Sequence, residues 1–350
     1  MKGFWWKIMG AAIFLYVLIG GMTVPLKPGI AAVSPNHTYT GRQAEFLIEG
    51  YNTRFVSGGR SRVWLKMDST HALAHAVAEA VDENHLKASF SLPATFPSED
   101  QTIPLTLIID NQEDGVFVQP NAVFLTRDTT DTGPSAEAWL QGRISDLHYP
   151  EGIKFPYRSI LNETIRNTFF HVALWFAMFI LLIAGVYHAV CYIRTHDIDH
   201  DTRSSAYTRV ALLYGILGLI TGSVWARFTW DTFWTQDIKL NMTAIAMLIY
   251  LAYLLLRTST EDVDKRARLS AAYNIFAFVA LIPLVFVIPR LTDSLHPGNG
   301  GNPALGGEDL DNTLRLFFYP SIIALTLLGF WMSSLLTRYE RLRYKWIFKS

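Results

Sequence analysis

The stretch "WARFTWDTFWTQDIKLN" runs from Trp225 to Asn241 and crowds three tryptophans, two phenylalanines and two aspartates between two long apolar runs. Tryptophan favours the membrane–water interface, and that alone would explain part of the pattern. The other explanation is a loop that holds something large, flat and apolar. Reading outward decides that the flanks are membrane helices. About 20 apolar residues are needed to cross the hydrocarbon core. The run before the loop extends from about Tyr207 to Val224, and the run after it from about Ile238 to Leu256. Four more runs qualify: Ile8 to Val24, Phe169 to Ile193, Ala271 to Pro289 and Leu314 to Leu336.

Composition agrees. Of the 350 residues, 50% are hydrophobic and only 17% charged, against about 25% charged in soluble domains. Mean hydropathy is +0.20. A formal net charge of zero gives no reason to expect nucleic acid as a partner. Cys191 is the single cysteine, so no intrachain disulfide and no C-x-x-C-H haem attachment is possible. No phosphate-binding G-x-x-x-x-G-K-[ST] is present, so the chain does not power itself with ATP.

Lysine and arginine set the orientation. Lys2 and Lys7 precede the first run, and Arg194, Arg203 and Arg209 lie between the second and third. Arg257, Lys265, Arg266 and Arg268 lie between the fourth and fifth, and Arg338, Arg341, Arg343, Lys345 and Lys349 follow the sixth. All fall on one side, which is therefore expected to be cytoplasmic. The aromatic loop faces the other way. The first run has a second reading as a signal peptide, since lysines precede it and "AAV" follows. Its length, and the consistency of the topology with it retained, favour an uncleaved helix.

Residues 27–159 read differently. "AEFLIEGYNTRF", "SRVWLKM", "KASFSLP", "IPLTLIID" and "GVFVQPNAVFLT" are short runs rich in β-formers, separated by Gly, Pro and Asn. That spacing predicts an extracytoplasmic β-sandwich, Ig-like in pattern. Within it "HALAHAVAEAVDENH" reads as a short helix or a crossover between strands. A helix would put His71 and His75 on one face. His85 follows, but no carboxylate or cysteine completes a metal pattern. The expected architecture is mainly α: a first helix in 1–26, the insert in 27–159, a five-helix membrane domain in 160–338 and a basic cytoplasmic tail in 339–350.

Two histidines fall on the outward side. His171 sits at the start of the second run, in "NTFFHVALWFAM", and His296 follows the fifth, in "LTDSLHPGNGGNP". Each alone reads as an interfacial residue. Together with the aromatic loop they suit haem, a flat macrocycle whose iron takes axial imidazoles. His171 and His296 are then the expected ligands of the iron. Trp225, Trp230, Phe233 and Trp234 can wall the ring. Arg227, Lys239, Arg166 and Arg290 lie near enough in sequence to pair with propionates, or to anchor at the interface instead. Asp237 precedes the fourth helix, and a helix cap is its favoured role. His188, His196 and His200, the last two in "THDIDHD", fall at or near the other side and read as a solvated loop more readily than as a metal site.

These residues resemble the CcmC type of haem-handling membrane protein, within the wider family that carries a tryptophan-rich WWD domain. That family's motif reads roughly W-G-x-P-x-W-G-x-[WF]-W-x-W-D-x-R-L-T. Trp225, Trp230, Phe233, Trp234, Asp237 and Leu240 match it. Asp231 stands in place of a glycine, Gln236 of a tryptophan and Lys239 of an arginine. His171, Val172 and Trp175 match the family's first histidine segment, with Ala173 where proline is usual, and His296 matches the second. The resemblance covers the first helix and about residues 160–338, but not the insert.

The resemblance implies that haem b sits on the outward face between His171 and His296, backed by the loop. It implies delivery to a periplasmic haem chaperone of CcmE type, with ABC subunits of CcmA and CcmB type and possibly a small CcmD-like subunit as partners. The membrane would be the bacterial inner membrane, and the role transfer rather than catalysis. Two other readings stay open. One is a haem lyase that attaches haem to apocytochrome c. The other is a membrane receptor or sensor that carries no haem.

Overall fold

The computed structural model describes residues 3–74, 77–128, 136–140, 143–149, 152–159, 161–296 and 310–349. It divides into two compact units, residues 1–23 with 163–350, and residues 24–162.

The first unit holds six helices long and apolar enough to cross a membrane. They are α1 (Trp5–Thr23), α2 (His171–Thr195), α3 (Ile198–Thr229), α4 (Ile238–Ser259), α5 (Val263–Ile282) and α6 (Asn312–Lys349). A 3-10 segment, Asn162–Phe169, leads into α2. Successive helices turn back on one another, so the start of α2 meets the end of α3, and the start of α3 meets the end of α6. Central α2 packs on α3, α5 and α6, while α1 lies along α6 and α4 along α5. The shared interior is built from Ala173, Ala177, Leu181, Ala211, Met247 and Ala277, all nearly inaccessible.

Several helices outrun their apolar stretches. Asp197 caps α3 by accepting the Asp199 N–H at 2.9 Å. The polar first turns of α3 then bond to the basic end of α6: Arg341 pairs with Asp199 and Arg209 with Glu340 at 2.7 Å. Thus α6 continues through the residues expected to form a separate basic tail. α5 ends where the sequence expects more helix. Pro283 opens a wide π-type turn over Pro283–Val287, and a 3-10 turn, Ile288–Arg290, follows. Proline removes a backbone donor and crowds the turn before it, which ends the regular ladder.

Two polar pairings cross the inside of the bundle, where an unpaired charge would be costly. Arg257 of α4 grips Asp201 of α3 through two bonds of 2.6 and 2.9 Å. Asn274 of α5 donates to Ser204 at 3.1 Å and to Thr208 at 2.9 Å.

The second unit is a sandwich. One sheet has strand order β1 (Gly29–Ser34), β3 (Gln43–Tyr51), β7 (His85–Ser91), β6 (Val77–Ala80). The other runs β2 (His37–Tyr39), β9 (Gly115–Thr126), β8 (Thr102–Asn111), β4 (Arg62–Lys66), β5 (Ala72–Ala74). All pairs are antiparallel except β2 with β9. In β3 alternate residues are buried, the period-two signature of a strand with one dry face. Phe46, Ile48 and Phe90 from one sheet share a single core with Val63, Leu65, Leu105 and Val123 from the other.

The helix entertained around His71 does not form. The segment makes the edge strands β5 and β6 instead, so no helical face joins His71 to His75, which lies outside the described residues. Edge pairing with β4 and β7 wins over the local alanine-rich helix preference. His71 and His85 each close a hairpin turn, with Nδ1 against Asp68 at 2.8 Å and against Asp82 at 2.9 Å. Asp110 of β8 is buried and accepts from Arg62 Nε at 3.1 Å and from the His148 N–H at 2.7 Å.

Candidate functional site

The first turn of α2 packs against the last turns of α3, and His171 stands at that junction. Its Nδ1 lies 2.9 Å from the Gly218 carbonyl and 3.2 Å from Thr221 Oγ1. The Thr221 hydroxyl donates its own proton back to Leu217 O at 2.9 Å or Gly218 O at 3.1 Å. Both neighbours of Nδ1 are therefore acceptors, which assigns the proton to Nδ1 and leaves Nε2 with a lone pair. Among the described residues nothing hydrogen-bonds Nε2. A metal-ligating imidazole is oriented in this way, by donating its other N–H to a carbonyl.

The space for that ring comes from Gly222. A Cβ built there would lie 2.6 Å from His171 Cε1 and 3.2 Å from Nδ1. Only a residue without a side chain lets α3 approach so closely. Trp175, one turn further along α2, presents an edge to the imidazole with centroids 6.2 Å apart. Asn167 ties the lead-in segment to the same turn, donating to Thr221 O at 3.2 Å.

One turn beyond Gly222, α3 carries Trp225. Three residues of helix advance about 4.5 Å. Trp225 and Trp230 pack edge-on with centroids 4.9 Å apart. The His296 ring sits beside both, 6.2 Å from Trp225 and 6.4 Å from Trp230. The two histidines, 125 residues apart in sequence (296 − 171), thus flank successive turns of one helix. Phe228, in the last turn of α3, is 73% exposed, and Phe233, in the loop, 59%. Trp234 donates from Nε1 to Asn241 Oδ1 at 3.3 Å, which fixes its indole over the start of α4.

The expected cations are differently placed. Arg227 pairs with Asp231. Arg166 bonds Glu163 at 2.5 Å and the Gly21 carbonyl at 2.8 Å, joining the lead-in segment to the end of α1. Lys239 is half-buried in the first turn of α4, and Arg290 is exposed at the end of its 3-10 turn. Asp231, where the motif has glycine, adopts φ +58°. That left-handed conformation suits glycine and is tolerated by aspartate, so the departure keeps the backbone and adds a partner for Arg227.

Asp237 caps α4, as its position suggests, accepting from Lys239 N at 2.9 Å and Leu240 N at 3.4 Å. His188 and His200 meet at the opposite end of the bundle, Nδ1 to Nδ1 at 2.9 Å, with Tyr207 stacked on His188. Among the described residues no group of three or more potential ligands could hold a metal ion, and this includes "THDIDHD". Sequence reasoning did not find the seat of His171. The spacing of Gly218, Thr221 and Gly222, three and four residues apart, was its only signal: small residues on one helix face permit close approach.

The donor set fits an iron porphyrin: one imidazole with an oriented lone pair, a second beside two tryptophans, and exposed phenylalanines in the same stretch of chain. A family model described as CcmC, heme exporter protein C, matches residues 155–346 and leaves the insert out. The chain is 27% identical over 170 residues to heme exporter protein C of Bradyrhizobium diazoefficiens, covering 47% of this chain and 62% of that protein. It is also 27% identical over 170 residues to heme exporter protein C of Paracoccus denitrificans, covering 48% and 68%. Over 82 residues it is 38% identical to the cytochrome c biogenesis protein CcsA of Prochlorococcus marinus, covering 23% and 26%. The match to the Bradyrhizobium protein spans less than two thirds of that relative's length.

Proposed function

We propose a function from one premise: the chain belongs to the CcmC family, heme exporter protein C. It binds haem as cargo at the outward end of its helix bundle, in cytochrome c maturation, and presents it to a periplasmic haem chaperone of CcmE type. His171 and His296 are the axial ligands. The bacterial inner membrane is its location, and ABC subunits of CcmA and CcmB type and a small CcmD-like subunit are its partners. The insert shares the outward side.

The observation that carries this reading is the seat of His171. Its Nδ1 proton is committed to Gly218 O, so Nε2 carries the lone pair that a metal needs. The carbonyl also makes the ring a better donor to iron. Trp225 and Trp230 both pack against the His296 ring. Phe233 and Trp234 supply apolar surface that keeps water from a bound macrocycle, and Lys239 and Arg290 supply positive charge for its carboxylates. Two imidazoles bring selectivity for an iron porphyrin, while the exposed loop leaves an edge of the cargo accessible for onward transfer.

Likeness to a cytochrome c biogenesis protein of CcsA type keeps a second reading in view, attachment of haem to an apocytochrome. Haemin titration of the detergent-purified protein tests the binding step common to both. Wild type should develop a Soret band with saturable stoichiometry, and His171→Ala and His296→Ala should each weaken it. A colourless wild type, or a band unchanged in either variant, overturns the reading. Transfer to purified chaperone, against attachment to apocytochrome peptide, then separates the two roles.

A further inference from the structure

We infer that Asp237 is the positioning residue for His296: a latch that joins the start of α4 to the segment carrying the second histidine. The inference rests on the haem reading above for its purpose, but its geometry stands alone.

An ordinary helix cap uses one side-chain oxygen. Asp237 uses both. Oδ1 accepts from the first turn of α4, at Lys239 N and Leu240 N. Oδ2 turns away from the helix and accepts the Leu295 N–H at 2.8 Å, 58 residues further along the chain. The Ser294 hydroxyl faces the same carboxylate and helps keep it ionised. Ser294 Oγ in turn accepts the His296 N–H at 3.1 Å. Its own proton stays available for the carboxylate. The residue next to His296 is therefore bonded directly to Asp237, and His296 itself to the hydroxyl that faces that carboxylate.

Asp237 is only 8% exposed, so both bonds are partly shielded from water. Burial opposes its ionisation, but the bonds from Ser294, Leu295, Lys239 and Leu240 outweigh burial and hold its carboxyl below the usual range. It stays an acceptor on both oxygens at neutral pH. The need for a latch follows from the local chain. Residues 291–296 carry no regular helix or strand, and Leu291 and Leu295 are exposed at 76% and 65%. No helix or strand ladder holds residues 291–296 in place, and a ligand must be placed within about 0.5 Å to act. Asp237 thus contributes to haem binding without touching haem: it sets where His296 stands relative to Trp225 and Trp230.

Two variants of the full chain in detergent separate the latch from the cap. Asparagine has one accepting oxygen and caps helices as well as aspartate does. Asp237→Asn can therefore cap α4 or hold residues 294–295, but not both. Ser294→Ala removes the hydroxyl that accepts from His296 and leaves the cap untouched. Amide hydrogen exchange on the haem-free proteins is the first readout. Exchange over 291–296 should rise about tenfold in both variants, the upper end of the worth of one ordinary hydrogen bond. Exchange at Lys239 and Leu240 should not change in Ser294→Ala. The second readout is the spectrum after haemin loading. Both variants should keep haem through His171 but lose the second imidazole in part, shifting toward a five-coordinate, high-spin form that added imidazole returns to the wild-type spectrum. Unaltered exchange over 291–296 in both variants overturns the latch. So does a wild-type spectrum in Asp237→Asn when wild type itself binds through two imidazoles, and this outcome leaves the haem reading standing. A wild type that takes up no haemin overturns the haem reading and the purpose assigned to the latch with it, whatever the exchange shows.

Discussion

Gly222→Ala tests the seat of His171 more sharply than removal of the histidine does. The new methyl would start 2.6 Å from His171 Cε1. Ordinary carbon–carbon contact begins at about 3.5 Å, so the ring must retreat by roughly 0.9 Å. It is held by the bond from Nδ1 to Gly218 O, now 2.9 Å. A retreat of that size takes the pair to about 3.8 Å, outside hydrogen-bonding range. The helix loses about 1 kcal/mol from the bond itself. The larger effect falls on the ligand. Without its carbonyl acceptor the imidazole loses both orientation and the tautomer that exposes the Nε2 lone pair. Loss of such a supporting contact typically weakens metal binding by about 10–100-fold, or roughly 1.4–2.8 kcal/mol. Equilibrium haemin titration measures this directly, with size-exclusion behaviour as a check that the bundle is intact. Binding within about twofold of wild type, well below that range, would refute the reasoning. It would mean that the ring finds another seat at no cost, or that His171 does not bind iron.

Three further outcomes follow from the packing. Arg257→Met strands Asp201, which is almost inaccessible at 6% side-chain exposure, and should lower stability by about 3–5 kcal/mol in thermal unfolding. The double variant with Asp201→Asn should recover most of that loss, and failure to recover would mean the pair is not the cause. Asp231→Gly should leave the thermal midpoint unchanged, since φ +58° suits glycine, whereas Asp231→Val should lower it. Equal midpoints for the two would show that the left-handed turn is not kept. In the insert, burial opposes ionisation of Asp110, but bonds from Arg62 and His148 outweigh it and lower its carboxyl below the ordinary range. Its contribution is therefore fully present above the unfolded value near ~4 and is lost as pH falls through the folded value. Asp110→Asn should cost about 2 kcal/mol at neutral pH and flatten the loss of sandwich stability between neutral and acid conditions. An unchanged acid slope would assign that loss to other carboxylates.

The membrane helices were legible because each needs an apolar run of set length, and hydropathy reports that directly. Their ends were not. Asp199, Arg203 and Arg209 look like a loop by composition, yet they continue α3 because α6 supplies Glu340 and Arg341 as partners, and no local pattern encodes a neighbour's charge. The strands of the insert followed from alternation, as in β3. The run around His71 misled because alanine favours helix locally while two sheet edges claimed it. At the site, the aromatic loop and both histidines stood out by residue type and by resemblance. The seat at Gly218, Thr221 and Gly222 did not, since a glycine in an apolar helix has many reasons to be there. The second oxygen of Asp237 was equally hidden. A cap reads the next three residues, whereas Leu295 arrives from 58 residues away.

Near-infrared magnetic circular dichroism of the ferric, haemin-loaded full-length protein reads the pair of axial ligands directly. The account expects the bis-imidazole signature in wild type and its loss in both His171→Ala and His296→Ala. A spectrum assigning any other ligand pair in wild type, or a bis-imidazole signature that survives either substitution, would contradict it.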